Sequence, residues 1–147
     1  MSENKKYELL KDDTITTSSG KTLYRIKALV AIGLLVAQGD LGGYIENVNN
    51  LSVYGDAWVY GDARVYGDAR VKTRSDIQWF SHVGSEGGTL TVCNAKRGLF
   101  VSRGCFSGTL PQFKKAVKAK HADSKIGRHY ATLIKSIEIW FREEKAK

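Results

Sequence analysis

Residues 53–70 read VYGDAWVYGDARVYGDAR, three nearly identical hexapeptides in tandem. A branched aliphatic residue recurs at Val53, Val59, Val65 and Val71, with alanine two positions before the last three, at Ala57, Ala63 and Ala69. Successive side chains of a strand fall on opposite faces, so Ala57, Trp58 and Val59 are expected to point in, out and in. The outward set is then Trp58, Arg64 and Arg70. Between the short strands stands Tyr-Gly-Asp, where glycine takes positive φ without steric cost and aspartate bonds its own nearby backbone, so the chain turns once per unit.

A unit of six residues cannot bury its own face, and a short fixed period of this kind marks stacked coils. The expected fold is mainly β plus α+β: a short hexapeptide-repeat parallel β-helix followed by a small ββαα module. Steps of six from Val53 reach Leu41, Asn47, Ile77 and Val83, with Gly39, Ile45, Ser75 and Ser81 two residues earlier. Asn47 alone breaks that pattern. Three units per coil would stack residues eighteen apart at about 4.8 Å, giving columns of Leu41 over Val59 over Ile77, and of Val53 over Val71. Asp56, Asp62 and Asp68 read as turn formers rather than calcium ligands, because the glycine-bearing nonapeptide of calcium-binding solenoids is absent.

The 147 residues are 42% hydrophobic and 26% charged, enough for one or two small domains with a core. Residues 1–83 are expected to form a hairpin and β-helix, and 84–147 the basic ββαα module. The apolar run Ala28–Ala37 (ALVAIGLLVA) is ten residues, too short to span a bilayer and unlike a cleaved leader, so a cytoplasmic protein without a membrane partner is expected. Cys93 and Cys105 read as reduced thiols. Of the net charge of +8, none resides in residues 1–83, where ten Lys/Arg balance ten Asp/Glu, whereas 84–147 hold thirteen against five. A neutral first half and a basic second half point to an acidic partner for the second.

In chain order, Met1–Lys6 is polar and expected to fray. Tyr7–Leu10 and Thr22–Ala28 predict a hairpin that covers the first open coil edge. Gly84–Gly88 (GSEGG) reads as a hinge rather than a phosphate loop, since a strand follows it instead of a helix. Thr89–Asn94 and Leu99–Arg103 predict a second hairpin through Ala95–Gly98. A helix is expected over Leu110–Lys120, opening at Thr109 with Pro111 in its first turn, and another over Ile126–Glu143 with Tyr130, Leu133, Ile134, Ile137 and Phe141 on one face. Glu138 and Arg142 form an i, i+4 pair on the other face of that helix.

GDLGGYIE (39–46), the VYGDA units, WFSHVGSEGGTLTV (79–92), RGCFSGTL (103–110) and GRHYATLIKSI (127–137) together resemble a family of small phage and prophage proteins with an N-terminal hexapeptide β-helix. The resemblance spans about Tyr7 to Phe141. It implies a phage accessory protein acting in the host bacterial cytoplasm, in a class rich in inhibitors of host defence such as anti-CRISPR proteins. Similar solenoids commonly form oligomers, dimers or trimers, through surfaces that here would include Trp58, Arg64, Arg70, Trp79 and His82.

Three functions follow. A non-enzymatic protein would bind and occlude a host-defence component or another acidic macromolecule, protein or nucleic acid, through Lys96, Arg97, Lys114, Lys115, Lys118, Lys120 and Arg128; a merely solvated helix face is the bland alternative. A binder of a small phosphorylated ligand, such as a nucleotide messenger held between subunits, is the second. A CoA-dependent acyltransferase, by analogy with other hexapeptide proteins and with His82 as base, is the third. Cys105 beside Arg103 suggests a nucleophile, but no histidine or carboxylate is spaced to activate it and a buried small hydrophobe is the commoner role. No cofactor, metal or catalytic residue is expected, since two cysteines and scattered histidines match no zinc spacing.

Overall fold

Backbone pairing begins where β-prone residues alternate. The structure, a computed structural model, describes residues 4–146, with side chains through Phe141. Strands β1 (Tyr7–Thr16) and β2 (Thr22–Ala28) form the N-terminal hairpin, β3 (Leu41–Ile45) pairs antiparallel with β2, and the two-residue β4 (Arg64–Val65) joins β3 in parallel. A second sheet follows, antiparallel throughout, in the order β5 (Ile77–Val83), β6 (Gly88–Asn94), β7 (Leu99–Arg103), β8 (Phe106–Gly108). The boundary between the sheets therefore falls before Ile77, and β5 belongs with the second.

Helix α1 (Leu110–His121) begins with a capping box in which Thr109 Oγ1 accepts from Gln112 N and the Gln112 side chain accepts from Thr109 N, with Pro111 in the first turn. Helix α2 (Lys125–Ala146) follows after a short turn. Leu110, Phe113 and Val117 of α1 and Tyr130, Ile134, Ile137 and Phe141 of α2 bury against Val83, Leu90, Val92 and Val101 of the second sheet. The i, i+3, i+4 spacing that predicted these helices is the spacing of their buried faces. The side chain of Arg142, expected to pair with Glu138, lies outside the described residues.

The expected β-helix does not form. Its coils would pair residues eighteen apart, whereas the parallel contacts join Tyr44 to Arg64, Ile45 to Val65 and Leu51 to Val71, each twenty apart, and no hexapeptide of 53–70 pairs with another. Leu41, placed over Val59 in the expected column, is exposed and pairs with Lys27. Ile77 opens the second sheet. The three units instead run as one strip between the two sheets. Each Tyr-Gly-Asp does turn the chain, with φ of 71°, 56° and 63° at Gly55, Gly61 and Gly67, and Ala63 N and Ala69 N donate back to Tyr60 O and Tyr66 O. Other backbone groups of the strip reach outside it: Arg64 N donates to Thr91 Oγ1, Arg70 N to Asn94 O, and Asp68 O accepts from Lys96 N.

Cover on both sides of the strip overturns the outward placement of Trp58. Ala57, Trp58 and Val59 are all buried, and the Trp58 ring lies edge-on to Tyr7 at 6.3 Å. Strand alternation predicts exposure only where one face meets water. Arg64 and Arg70 are half-buried, and Arg70 Nη1 folds back onto the carbonyls of Gly67 and Ala69 at 3.1 and 2.8 Å. Two of the repeat's three tyrosines bridge to the second sheet: Tyr60 stacks on Trp79 at 4.7 Å and Tyr66 meets Phe100 edge-on at 4.9 Å, while Tyr54 is exposed.

Lys6, expected in a frayed end, is buried, and its Nζ donates to the carbonyls of Ser52 and Tyr54. Loss of hydration outweighs the nearby Asp56 charge and lowers its pKa to about 8. Between about 8 and the ordinary value of 10.5 the unfolded chain binds the extra proton, so the contribution of Lys6 to stability should rise with pH across that window. Denaturant titrations of the wild type and of Lys6→Met from pH 7.5 upward should show the wild type gaining on the variant. Trp58→Ala should cost about 3–5 kcal/mol in the same titration, the price of emptying a buried indole site. A loss within error would return Trp58 to the surface.

Candidate functional site

Helical spacing sorts the lysines of α1. With Leu110, Phe113 and Val117 facing the core, Lys115 and Lys118 point away from it, Lys114 turns toward α2, and Lys120 turns with Phe113 and Ala116 toward a cleft. Lys114, Lys115, Lys118 and Lys120 are exposed, as are Lys125 and Arg128 at the start of α2. Cations near the end of α1 also complement its dipole.

Two members of the expected basic surface are engaged internally. Lys114 Nζ pairs with Glu138 of α2, and Arg128 Nη1 donates to Asp123 O at 2.5 Å. Among the described residues, Lys115, Lys118, Lys120 and Lys125 have no ion-pair partner. Lys96 and Arg97 are exposed in the β6–β7 turn, but they do not join this group. Arg97 shares a groove of about 250 Å³ with Lys21, Ser107 and Thr109 at the start of α1. The length of α1, roughly 18 Å at 1.5 Å per residue, separates them from Lys120 and Lys125. The basic residues thus do not form one surface: Lys96 and Arg97 lie at the start of α1, apart from the lysines along the helix and at its end.

The expected ligand surface of Trp58, Arg64, Arg70, Trp79 and His82 is not brought together. Trp58 is buried, Arg64, Arg70 and Trp79 are half-buried, and His82 alone is exposed. His82 sits where the β5–β6 register shifts, with a φ of 60°. Among the described residues no β-helix coil stands beside His82, which lies at the end of an antiparallel strand pair instead.

The structure adds an apolar element that helical-stripe counting passed over. Ile139 and Trp140 lie outside the buried face of α2, 61% and 42% exposed, and line a shallow groove with Gln78, Thr132, Lys135 and Ser136. Trp140 Nε1 donates to Ser75 O at 2.9 Å, which fixes the indole over the loop between the sheets. The signal was available in the sequence: Ile137, Ile139, Trp140 and Phe141 cannot all share one helix face.

A cleft of about 270 Å³ opens between α1 and the β5–β6 and β7–β8 turns, with Lys120 on its rim and Arg103 and Cys105 in its wall. The glycine-rich segment expected as a hinge is the β5–β6 turn bordering this cleft. Cys105, expected to be a buried small hydrophobe, is exposed, and Cys93 is the buried thiol, its pKa pushed up by desolvation and by the charges of Asp76 and Asp68. Among the described residues no group of three or more His, Cys, Asp or Glu converges as a metal site, and no helix is long and apolar enough to cross a membrane.

A thiol reagent such as DTNB should therefore modify Cys105 in the native protein and Cys93 only after denaturation, which absorbance of the released thiolate measures directly. Rapid reaction of both thiols in the native state would contradict the burial of Cys93. Compared with protein-family models, with curated proteins and with solved structures, the chain matches none.

Proposed function

We propose that this chain is a non-enzymatic phage accessory protein that binds an acidic face of a host-defence protein through its helical hairpin and blocks that face by occlusion. The observation that carries the reading is the pairing of unneutralised lysines with an apolar anchor. Lys115 and Lys118 lack ion-pair partners among the described residues, and the Lys114–Glu138 pair sets this part of α1 beside the turn of α2 that presents Ile139, whereas Trp140 turns to the other side of α2, over Ser75 and Gln78. Protein interfaces draw affinity from a few desolvated aromatic and aliphatic anchors, while surrounding charge raises the encounter rate. A surface made only for phosphates needs the charge but not the exposed isoleucine. The phage assignment rests on the resemblance of the repeat and the motifs after it.

The test is restoration of phage plaquing in a bacterium whose defence system restricts that phage. Expression of the wild type should restore plaques. Lys115→Glu with Lys118→Glu should abolish the effect while leaving the circular dichroism unchanged, and Ile139→Ser should weaken it at least tenfold, the expectation for an anchor worth more than about 1.4 kcal/mol. Full protection by the folded double variant would reduce the lysines to solvated helix. Purified protein that binds duplex DNA with log affinity falling by about 0.9 per log salt for each phosphate contacted would replace the protein partner by nucleic acid.

A further inference from the structure

The guanidinium of Arg103 is buried, and its Nε has no hydrogen-bond partner among the described residues. Its side chain is 9% exposed. Of the five N–H donors an arginine carries, one is used: Nη2 donates to Val83 O at 2.9 Å. Nε is buried with no partner among the described residues, and Nη1 lies 3.8 Å from Glu86 Oε1, an ion pair too long to be a hydrogen bond. Buried polar groups are almost always bonded, and an exception in a cleft wall marks a place where something else supplies the acceptor.

The position is built rather than incidental. Gly84 and Gly88 flank the guanidinium so closely that a Cβ at Gly84 would stand 2.7 Å from Nη2 and 2.3 Å from the Tyr130 hydroxyl, and one at Gly88 would stand 2.9 Å from Nη1. Two glycines of the GSEGG turn thus leave the space that the Arg103 guanidinium occupies. Beside it lies an aromatic floor: Phe106 to Phe113 at 5.4 Å, Phe113 to Tyr130 at 5.5 Å, and His121 to Tyr130 at 5.8 Å between ring centroids. Lys120 and His121 also line the cleft, and Glu86 is its one acid, 75% exposed at the side chain.

We propose that this cleft binds a small phosphorylated molecule with a planar body, of the size and chemistry of a nucleoside monophosphate. The phosphate meets the fork of Arg103 and the ammonium of Lys120, replacing Glu86, whose exposed carboxylate swings into solvent. A guanidinium fork and a nearby ammonium match a phosphomonoester dianion, since arginine bonds phosphate oxygens in pairs and lysine adds a point charge. The planar body covers Phe106, the half-exposed ring of that floor, by stacking, as bases do on aromatic side chains, with the buried Phe113 packed behind it. A cleft of about 270 Å³ lies just below the roughly 300–1,000 Å³ range of ligand pockets, the scale of a mononucleotide. This site lies on the sheet side of α1, away from Lys115 and Lys118, so the two proposals fail independently.

Cys105 in the wall of the cleft supplies the readout. The full chain is titrated with adenosine, guanosine, cytidine and uridine 5′-monophosphates, with the matching nucleosides and with inorganic phosphate, while the rate of Cys105 modification by DTNB and the heat of binding are followed. At least one nucleotide should slow the modification and bind below about 1 mM, with its nucleoside and inorganic phosphate each about tenfold weaker. Lys120→Gln, on an exposed helix position that leaves folding intact, should weaken that nucleotide about tenfold by removing a charge-assisted bond, whereas Glu86→Gln should not weaken it. Arg103→Lys should weaken it further, by loss of the fork. Absence of binding by all four nucleotides, equal binding of nucleoside and nucleotide, or an unchanged affinity in Lys120→Gln would each overturn the assignment.

Discussion

The first half of the molecule depends on a backbone contact that only glycine permits. Gly43 N donates to Val59 O at 2.8 Å and Tyr44 N to Ala63 O at 2.9 Å, seating the repeat strip directly against β3. A Cβ at Gly43 would stand 2.4 Å from Ala63 O, and one at Gly42 would stand 2.5 Å from Val59 O and 2.8 Å from the Trp58 ring. Contacts under 3.0 Å with backbone leave no room for relaxation. The Gly-Gly pair therefore sets how near the strip lies, and that distance decides which of its residues are buried.

From that contact the tie extends outward in both directions. Asn50 is fully buried, and its side-chain amide donates to the carbonyls of Gly67 and Ala69 while its Oδ1 accepts from Glu46 N and Asn47 N. One side chain thus bonds four backbone groups, two after β3 and two in the strip, and ties the two segments together. On the other side, Ser102 Oγ donates to Arg64 O and Thr91 Oγ1 accepts from Arg64 N, so two buried polar residues of the second sheet pair with the strip. The strip is the joint between the halves. Arg103, next in sequence to Ser102, is held by the same strand that grips the strip, which gives the cleft a rigid wall.

The charge of the second half divides by surroundings rather than by sequence. Lys114 and Arg128 hold the helical hairpin together, Lys115 and Lys118 face outward, and Lys120 belongs to the cleft. A run of lysines on one helix rotates by about 100° per residue, so neighbours in sequence meet different surroundings. Counting basic residues in a window therefore overstates a single surface.

Much of the fold was legible in the sequence wherever a local rule governs it. The N-terminal hairpin, the hairpin through Ala95–Gly98, both helices, the capping box at Thr109 and the turns at Gly55, Gly61 and Gly67 follow from backbone preferences and from spacing within a few residues. The burial of Ala57, Val59, Ala63, Val65, Ala69 and Val71 was legible too, because small and branched apolar residues at fixed intervals must face a core. What the repeat does with that core was not. Stacking of hexapeptides on one another and packing of one strip between two sheets bury the same residues, and only long-range pairing, here at twenty residues instead of eighteen, separates them. Trp58 reads as outward until both faces are seen to be covered. The Arg103 cleft was hidden for the same reason: its glycines, its aromatic floor and its arginine come from four separate stretches of chain, and the unmet hydrogen bonds of a guanidinium exist only once tertiary packing has removed it from water.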